Sequence, residues 1–220
     1  MTITPTILNK EFFLWKPGDW ASVWSPGQEE LRGMSRVVSV DGKTGNQTFH
    51  ATLEAMPAGA AVGDIVLHEE SLNRGSVIRN CSTSDIGTEN SSTRFRCVDV
   101  TFENNDLKDF HFWFHAGWNG PRPRAIVIKN NYVSDERIAK INFQQGLDCL
   151  LSGNEFDGVT LDFQKCEDMR VIGNRWSGMR DDQMSVEASK GSTVFLGGEN
   201  QRAGEVFEKW VETDGTSAVK

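Results

Sequence analysis

The chain has 220 residues, enough for one large domain or two small ones, and a formal net charge of −8. With no basic stretch to offset phosphate repulsion, that balance argues against a nucleic-acid partner, and no apolar run approaches the length of a membrane span. Seven Trp and thirteen Phe against a single Tyr make the chain aromatic-rich, which suits β-structure and stacking on sugars alike.

In chain order, Met1-Thr-Ile-Thr-Pro5 has neither the basic nor the apolar region of a leader peptide. The chain therefore reads as cytoplasmic as written, or as a mature form whose signal has been removed. Residues 12 to about 68 alternate short apolar runs with punctuation at Pro17-Gly18, Pro26-Gly27, Asp41-Gly42 and Pro57-Ala-Gly59. Arg36 to Val40, Thr48 to Leu53 and Gly63 to Leu67 read as short strands. Five or six such strands predict a small antiparallel β-barrel over 1–70, a module suited to capping the open end of a stack of strands.

From Gly75 a different rule takes over. Val100-Thr-Phe102-Glu-Asn104-Asn105, Ile126-Val-Ile128-Lys-Asn130-Asn131, Cys149-Leu-Leu151-Ser-Gly153-Asn154 and Met169-Arg-Val171-Ile-Gly173-Asn174 are one unit of alternating apolar residues closed by asparagine. Fainter copies close at Cys81 and near 199. One short strand before a polar turn, repeated every 20 to 26 residues, is the mark of a solenoid whose coils stack parallel strands. The fold class expected is all-β, a right-handed parallel β-helix over 71–200 preceded by the barrel, with stacked asparagines forming a ladder. After Gly198 the pattern fades, and Glu205 to Val211 has helix-like spacing that predicts a C-terminal cap over 201–220. Cys81, Cys97, Cys149 and Cys166 fall at inward or turn positions and lack metal-ligand spacing, so they read as buried free thiols, with a disulfide as the alternative. No cofactor or metal is implied.

The order Lys16-Pro-Gly-Asp19, Pro57-Ala-Gly59 then Gly63-Asp-Ile-Val66, Val77-Ile-Arg-Asn-Cys81 and Trp118-Asn-Gly-Pro-Arg-Pro-Arg-Ala-Ile-Val-Ile-Lys-Asn-Asn131 resembles glycoside hydrolase family 110. The likeness covers most of residues 12 to 176. It implies a β-helix with a small inserted barrel, α-1,3-galactosidase chemistry, galactose-containing glycans as ligands and an extracellular or periplasmic setting. The family's Asp-Asp-Gly-Ile-Asn stretch, which supplies its catalytic aspartates, has no match here, so no catalytic residue is carried over from it.

Site candidates come instead from a second strand in each coil. Phe110 to His115, Ala139 to Gln144, Val159 to Gln164 and Gln183 to Ala188 alternate apolar and polar residues. Aligning the apolar positions stacks Trp113, Asn142, Asp162 and Glu187 in one outward column, flanked by His111, Lys140, Thr160 and Ser185. Adjacent parallel strands lie roughly 4.8 Å apart, so Asp162 and Glu187 form a candidate carboxylate pair in which repulsion raises one pKa. Trp113 and Trp118, with His111, His115, Lys140 and Asn142, make a candidate saccharide wall. Four strand residues span ~13 Å, which forbids a metal shared by His111 and His115. Arg180-Asp181-Asp182 admits a polysaccharide-lyase reading, with Ca²⁺ and a uronate, against a solvated bend. On the first strand's outer face Val127, Leu150 and Phe195, with Ile172 close by, mark a surface to be covered by a second copy of the chain, by the C-terminal Trp210 segment or by further coils. The expected function is glycan-directed, a glycoside hydrolase-like protein. The alternatives are a non-catalytic glycan-binding or structural module, including a phage or viral fibre segment.

Overall fold

A computed structural model describes residues 2–3, 15–27, 30–41, 50–68, 72–83, 96–110, 112–115, 122–134, 140–202 and 207–220. The protein is all-β and divides into two compact units, Met1–Leu72 with Gly117–Pro121, and Asn73–Ala116 with Arg122–Lys220.

The first unit is a curled antiparallel sheet in the spatial order Thr2–Ile3, His50–Leu53, Leu31–Asp41, Trp20–Trp24 and Ile65–His68. The expected barrel is therefore a half-barrel, because Thr2–Ile3 and Ile65–His68 are its two edges and do not pair with each other. The strand read at Arg36 to Val40 is the second half of an eleven-residue strand, Leu31–Asp41, that shifts register at Val37/Ser39. Ala21, Val23, Val37, Ala51 and Leu53 form its core with Trp15. At one end of that core the Asp19 carboxylate accepts hydrogen bonds from Lys16 N–H and from His68 Nε2, both at 2.8 Å. Burial alone pushes the Asp19 pKa up, but the His68 and Lys16 hydrogen bonds outweigh it and hold the carboxyl below its ordinary range.

The second unit is built from three parallel sheets, and successive repeats give one strand to each in turn. The first sheet holds Val77–Arg79, Thr101–Glu103, Val127–Lys129, Leu150–Ser152, Met169–Ile172, Thr193–Leu196 and Ala218–Val219. The second holds Ser82–Thr83, Asp106–Leu107, Tyr132–Ser134, Glu155–Asp157, Arg175–Ser177 and Gln201–Arg202. The third holds Trp113–His115, Lys140–Gln144, Thr160–Gln164, Val186–Ser189 and Val211–Thr213. Alternate residues of every strand point into one shared core, where Phe102, Phe114, Phe143, Phe156, Phe163 and Trp176 are buried. Phe114 stacks on Phe143 at 4.7 Å between ring centroids, and Phe143 continues to Phe163 at 5.5 Å.

The corner between the first and second sheets is highly regular among the described residues. Two residues make it in each of four repeats, and they divide the work. The first of the pair, Asn104, Asn130, Gly153 or Gly173, has a left-handed backbone. The second, Asn105, Asn131, Asn154 or Asn174, is buried, and its side chain does the bonding. Asn131 Nδ2 donates to Asn154 Oδ1 at 3.1 Å and to Phe102 O at 3.0 Å, while its own Oδ1 accepts Asn105 N–H at 2.9 Å. The same pattern runs from Cys81 N–H through Asn105, Asn131, Asn154 and Asn174 to Asn200. Every ladder amide thus satisfies a turn N–H and a strand carbonyl of the repeat before it, which a buried polar group needs.

A shorter ladder closes the corner between the third and first sheets. Gly146 N–H donates to Cys166 Sγ at 3.3 Å, Cys166 N–H to Ser192 Oγ at 3.1 Å, and Ser192 N–H to Ser217 Oγ at 3.0 Å. Cys97, Cys149 and Cys166 are buried free thiols with pKa values pushed up to about 12 by burial, whereas Cys81 is exposed.

Repeat length varies elsewhere. Asp106, Tyr132, Glu155, Arg175 and Gln201 are successive register partners, so the repeats are 26, 23, 20 and 26 residues long. Trp113 lies seven residues after Asp106, Asn142 ten after Tyr132, Asp162 seven after Glu155 and Glu187 twelve after Arg175. The difference therefore accumulates at the corner between the second and third sheets. At the third-to-first corner the step is six residues from Gln144 to Leu150, Gln164 to Arg170 and Ser189 to Phe195. It is twelve from His115 to Val127, ahead of the Gly146 ladder.

The repeat does not fade after Gly198. Gln201–Arg202, Val211–Thr213 and Ala218–Val219 extend all three sheets, and the helix-like spacing yields one 3₁₀ turn, Phe207–Trp210. That turn brings Phe207 into the buried core. Phe207 lies 4.9 Å from the Trp176 ring, and the buried Arg202 guanidinium sits 3.5 Å over Trp210 while donating to the carbonyls of Gln183 and Arg180.

Candidate functional site

The polar face of the third sheet is where the outward side chains converge. Strand register pairs Trp113 with Asn142, Asn142 with Asp162, Asp162 with Glu187 and Glu187 with Glu212, giving one continuous column. His115, Gln144, Gln164 and Ser189 form the next column, and Lys140 pairs with Thr160 on the other side. Inward neighbours fix the column, because Phe112, Phe114, Ile141, Phe143, Leu161 and Phe163 are all buried and the two-residue period leaves the residues between them outside. His111 and Trp118 lie outside the described residues.

Within this face the charges pair across strands. Lys140 Nζ meets Glu187 Oε2 at 2.5 Å although their strands are separated by the one that carries Asp162. On the strand between them Asp162 is only 8% exposed; its Oδ2 accepts Gln164 Nε2 at 3.0 Å, and Lys190 Nζ donates to Gln164 Oε1 at 2.7 Å. The Asp162 pKa is raised, first by burial; the Gln164 hydrogen bond and the charge of Lys140 oppose that, and Glu187 adds to it. Sequence reasoning assigns the rise in one carboxyl to mutual repulsion. Desolvation is the larger cause, and repulsion from Glu187 is secondary because Lys140 sits on that carboxylate.

At the head of the column Trp113 is half-buried, with its ring 5.1 Å from that of His115. An aromatic face, an amide and a carboxylate in line, with hydroxyl and amide groups alongside, offer C–H stacking and hydrogen bonds at a regular spacing of roughly 4.8 Å. Asp162, as a carboxyl that holds its proton to higher pH, has the property of a general acid. Sequence reasoning misses the cross-strand reach of Lys140. Its signal is its place two strands from an acid on a face with few cations.

Other candidates resolve differently. Arg180, Asp181 and Asp182 are all exposed, with Arg180 Nε 3.7 Å from Asp182 Oδ1. Among the described residues no group of three or more His, Cys, Asp or Glu is placed to hold a metal ion. On the outer face of the first sheet the expected apolar column is interrupted. Leu150 pairs with Arg170 and Arg170 with Phe195, while Ile172 stands one column over, opposite Ser152. Arg170 is exposed and its Nη2 lies 2.7 Å from Asp148 Oδ1. Val127 and Leu150 are half-buried, and Phe195 is 50% exposed beyond the Arg170 guanidinium. Neither a family model nor a curated protein matches the chain.

Proposed function

We propose that the second unit is a right-handed parallel β-helix that binds a glycan along the outer face of its third sheet. Three in-register parallel sheets fed in rotation by each repeat support the solenoid, and parallel strands joined through a crossover are right-handed in about 98% of cases. The observation that carries the binding reading is Trp113 at the head of Asn142, Asp162 and Glu187. The likeness to glycoside hydrolase family 110 in the residues quoted above makes galactose-containing glycans the first ligands to test.

Titration of the full chain with α-galactosides and unrelated neutral oligosaccharides, monitored by Trp fluorescence and calorimetry, tests it. Trp113→Ala is expected to weaken binding by about tenfold or more, the loss of one stacking face. Unchanged affinity in that variant overturns the reading. A second reading, hydrolysis, is favoured by the raised pKa of Asp162 beside Glu187. It requires Glu187 to leave Lys140 when substrate enters, and it predicts that Asp162→Asn and Glu187→Gln each abolish turnover while binding persists. A glycan that binds wild type without ever being cleaved leaves the non-catalytic module as the function.

A further inference from the structure

A second concavity lies away from that face, at the corner between the first and second sheets. It is a groove of about 440 Å³ formed by two rows at the strand spacing. One row is the left-handed turn residues Asn104, Asn130 and Gly153, all exposed. The other is Asp106, Tyr132 and Glu155, successive register partners on the second sheet. The ladder asparagines form the floor, and their amides are spent on one another and on strand carbonyls, so the floor is rigid.

The walls are built to accept. Tyr132 is held in place by its hydroxyl, which donates to Asp157 Oδ2 at 2.8 Å, leaving an anchored ring between two carboxylates. Asp106 Oδ2 lies 3.2 Å from Lys108 Nζ, while its Oδ1 is shielded from solvent and accepts no hydrogen bond from the described residues. Asn130 Oδ1 lies 2.5 Å from where a Cβ at position 153 would sit, so the Asn130 side chain extends across a gap that only glycine leaves. Acceptors thus outnumber donors around an aromatic ring.

That chemistry selects a ligand. Asp106 and Glu155 repel phosphates and uronates. The two carboxylates are separated by the Tyr132 strand, roughly 10 Å at the usual spacing, too far to share one cation. A peptide adding as a strand needs an open sheet edge, and the strands here are paired on both sides. A polyhydroxyl ring supplies what remains, O–H donors for the carboxylates and amide oxygens and a C–H face for Tyr132. We propose that this asparagine-lined groove is a second saccharide site, specific for neutral sugars and independent of the third-sheet face.

Side-chain amide resonances of ¹⁵N-labelled full-length protein read the site directly. Probes are galactobiose, maltotriose and cellotriose, with trigalacturonate and CaCl₂ as charged controls, each at millimolar concentration. At least one neutral sugar is expected to shift the Asn104 and Asn130 amide signals saturably, and neither control to do so. The double variant Asn104→Gly/Asn130→Gly keeps the left-handed backbone, as Gly153 and Gly173 already do in the same position, and is expected to weaken that binding by at least about fivefold. Trp113→Ala leaves it unchanged. No shift with any neutral sugar, the same shifts with CaCl₂ alone, or loss in Trp113→Ala with retention in the glycine variant overturns the proposal. Because the two sites are read by different variants, failure at one is distinguishable from failure at the other.

Discussion

Lys140 and Glu187 meet at 2.5 Å across an intervening strand, the one that carries Asp162. The two ends of the pair are 38% and 30% exposed, so the contact is worth little by itself. Its two charges act on Asp162 in opposite senses, Lys140 lowering its pKa and Glu187 raising it.

The buried Asp162 gives the first prediction. Its folded-state pKa is raised, so the folded protein binds the proton more tightly than the unfolded chain. Stability from this group is fully present below the unfolded value, about 4, and is lost as pH rises through the folded value. Asp162→Asn removes that cost and keeps an acceptor for Gln164. The variant is expected to melt about 2–4 °C above wild type at pH 7 and level with it below about pH 4, as scanning calorimetry will show. Lys140→Met acts in the opposite sense and raises the Asp162 pKa further, which a ¹³C-carboxyl titration reads.

The two residues of each turn are predicted to differ. Asn154→Ala deletes donors to Asn174 Oδ1 and Ile128 O and the acceptor for Asn131, and is expected to destabilise by about 3 kcal/mol or more in urea. Asn104→Gly alone, at the left-handed position, is expected to change stability by no more than about 0.5 kcal/mol. Equal costs at the two positions would contradict the division of labour.

Arg202 is predicted to hold the last turn of the core. Its guanidinium is buried, over Trp210 and against two carbonyls, so Arg202→Met leaves the Gln183 and Arg180 carbonyls unmet. A loss of about 2–4 kcal/mol is expected, with amide exchange accelerated first in Val211–Thr213.

Asp214 supplies a pH dependence of the opposite sign. Its carboxylate accepts Lys190 N–H, Thr216 N–H and the Thr216 and Ser217 hydroxyls, which hold its pKa well below the ordinary carboxylate range. A depressed folded value means that its contribution is present above about pH 4 and is lost as pH falls towards the folded value. Asp214→Asn is expected to bring that loosening to neutral pH, seen as faster exchange of the Lys190 and Thr216 amides with the rest of the unit unchanged.

Much of the second unit is legible in sequence because its physics is local. A three-residue strand with one buried centre, then two turn residues, recurs with little freedom, and asparagine suits the ladder because its amide accepts an N–H while donating twice, to a strand carbonyl and to the next amide, where a hydroxyl donates once. The closing position near 199 is Asn200, displaced by Glu199 taking the left-handed place. The terminal strands are illegible because Ala218–Val219 and Gln201–Arg202 are two residues long, too short for alternation to register. The Gly146, Cys166, Ser192 and Ser217 ladder is hidden by its changing residue type, although its spacing of 20 to 26 residues matches the asparagines. For the site, register comes from aligning apolar positions, whereas the Lys140 to Glu187 reach depends on long side chains crossing a strand, which periodicity does not encode.

The uneven repeat lengths bear on how such a molecule diversifies. The longer segments fall at the corner between the second and third sheets, where no ladder recurs among the described residues, and before Gly146, where the second ladder has yet to begin. Insertions at those points leave the amide spine untouched, so new loops can be grafted beside the Trp113 face without retuning the scaffold beneath them.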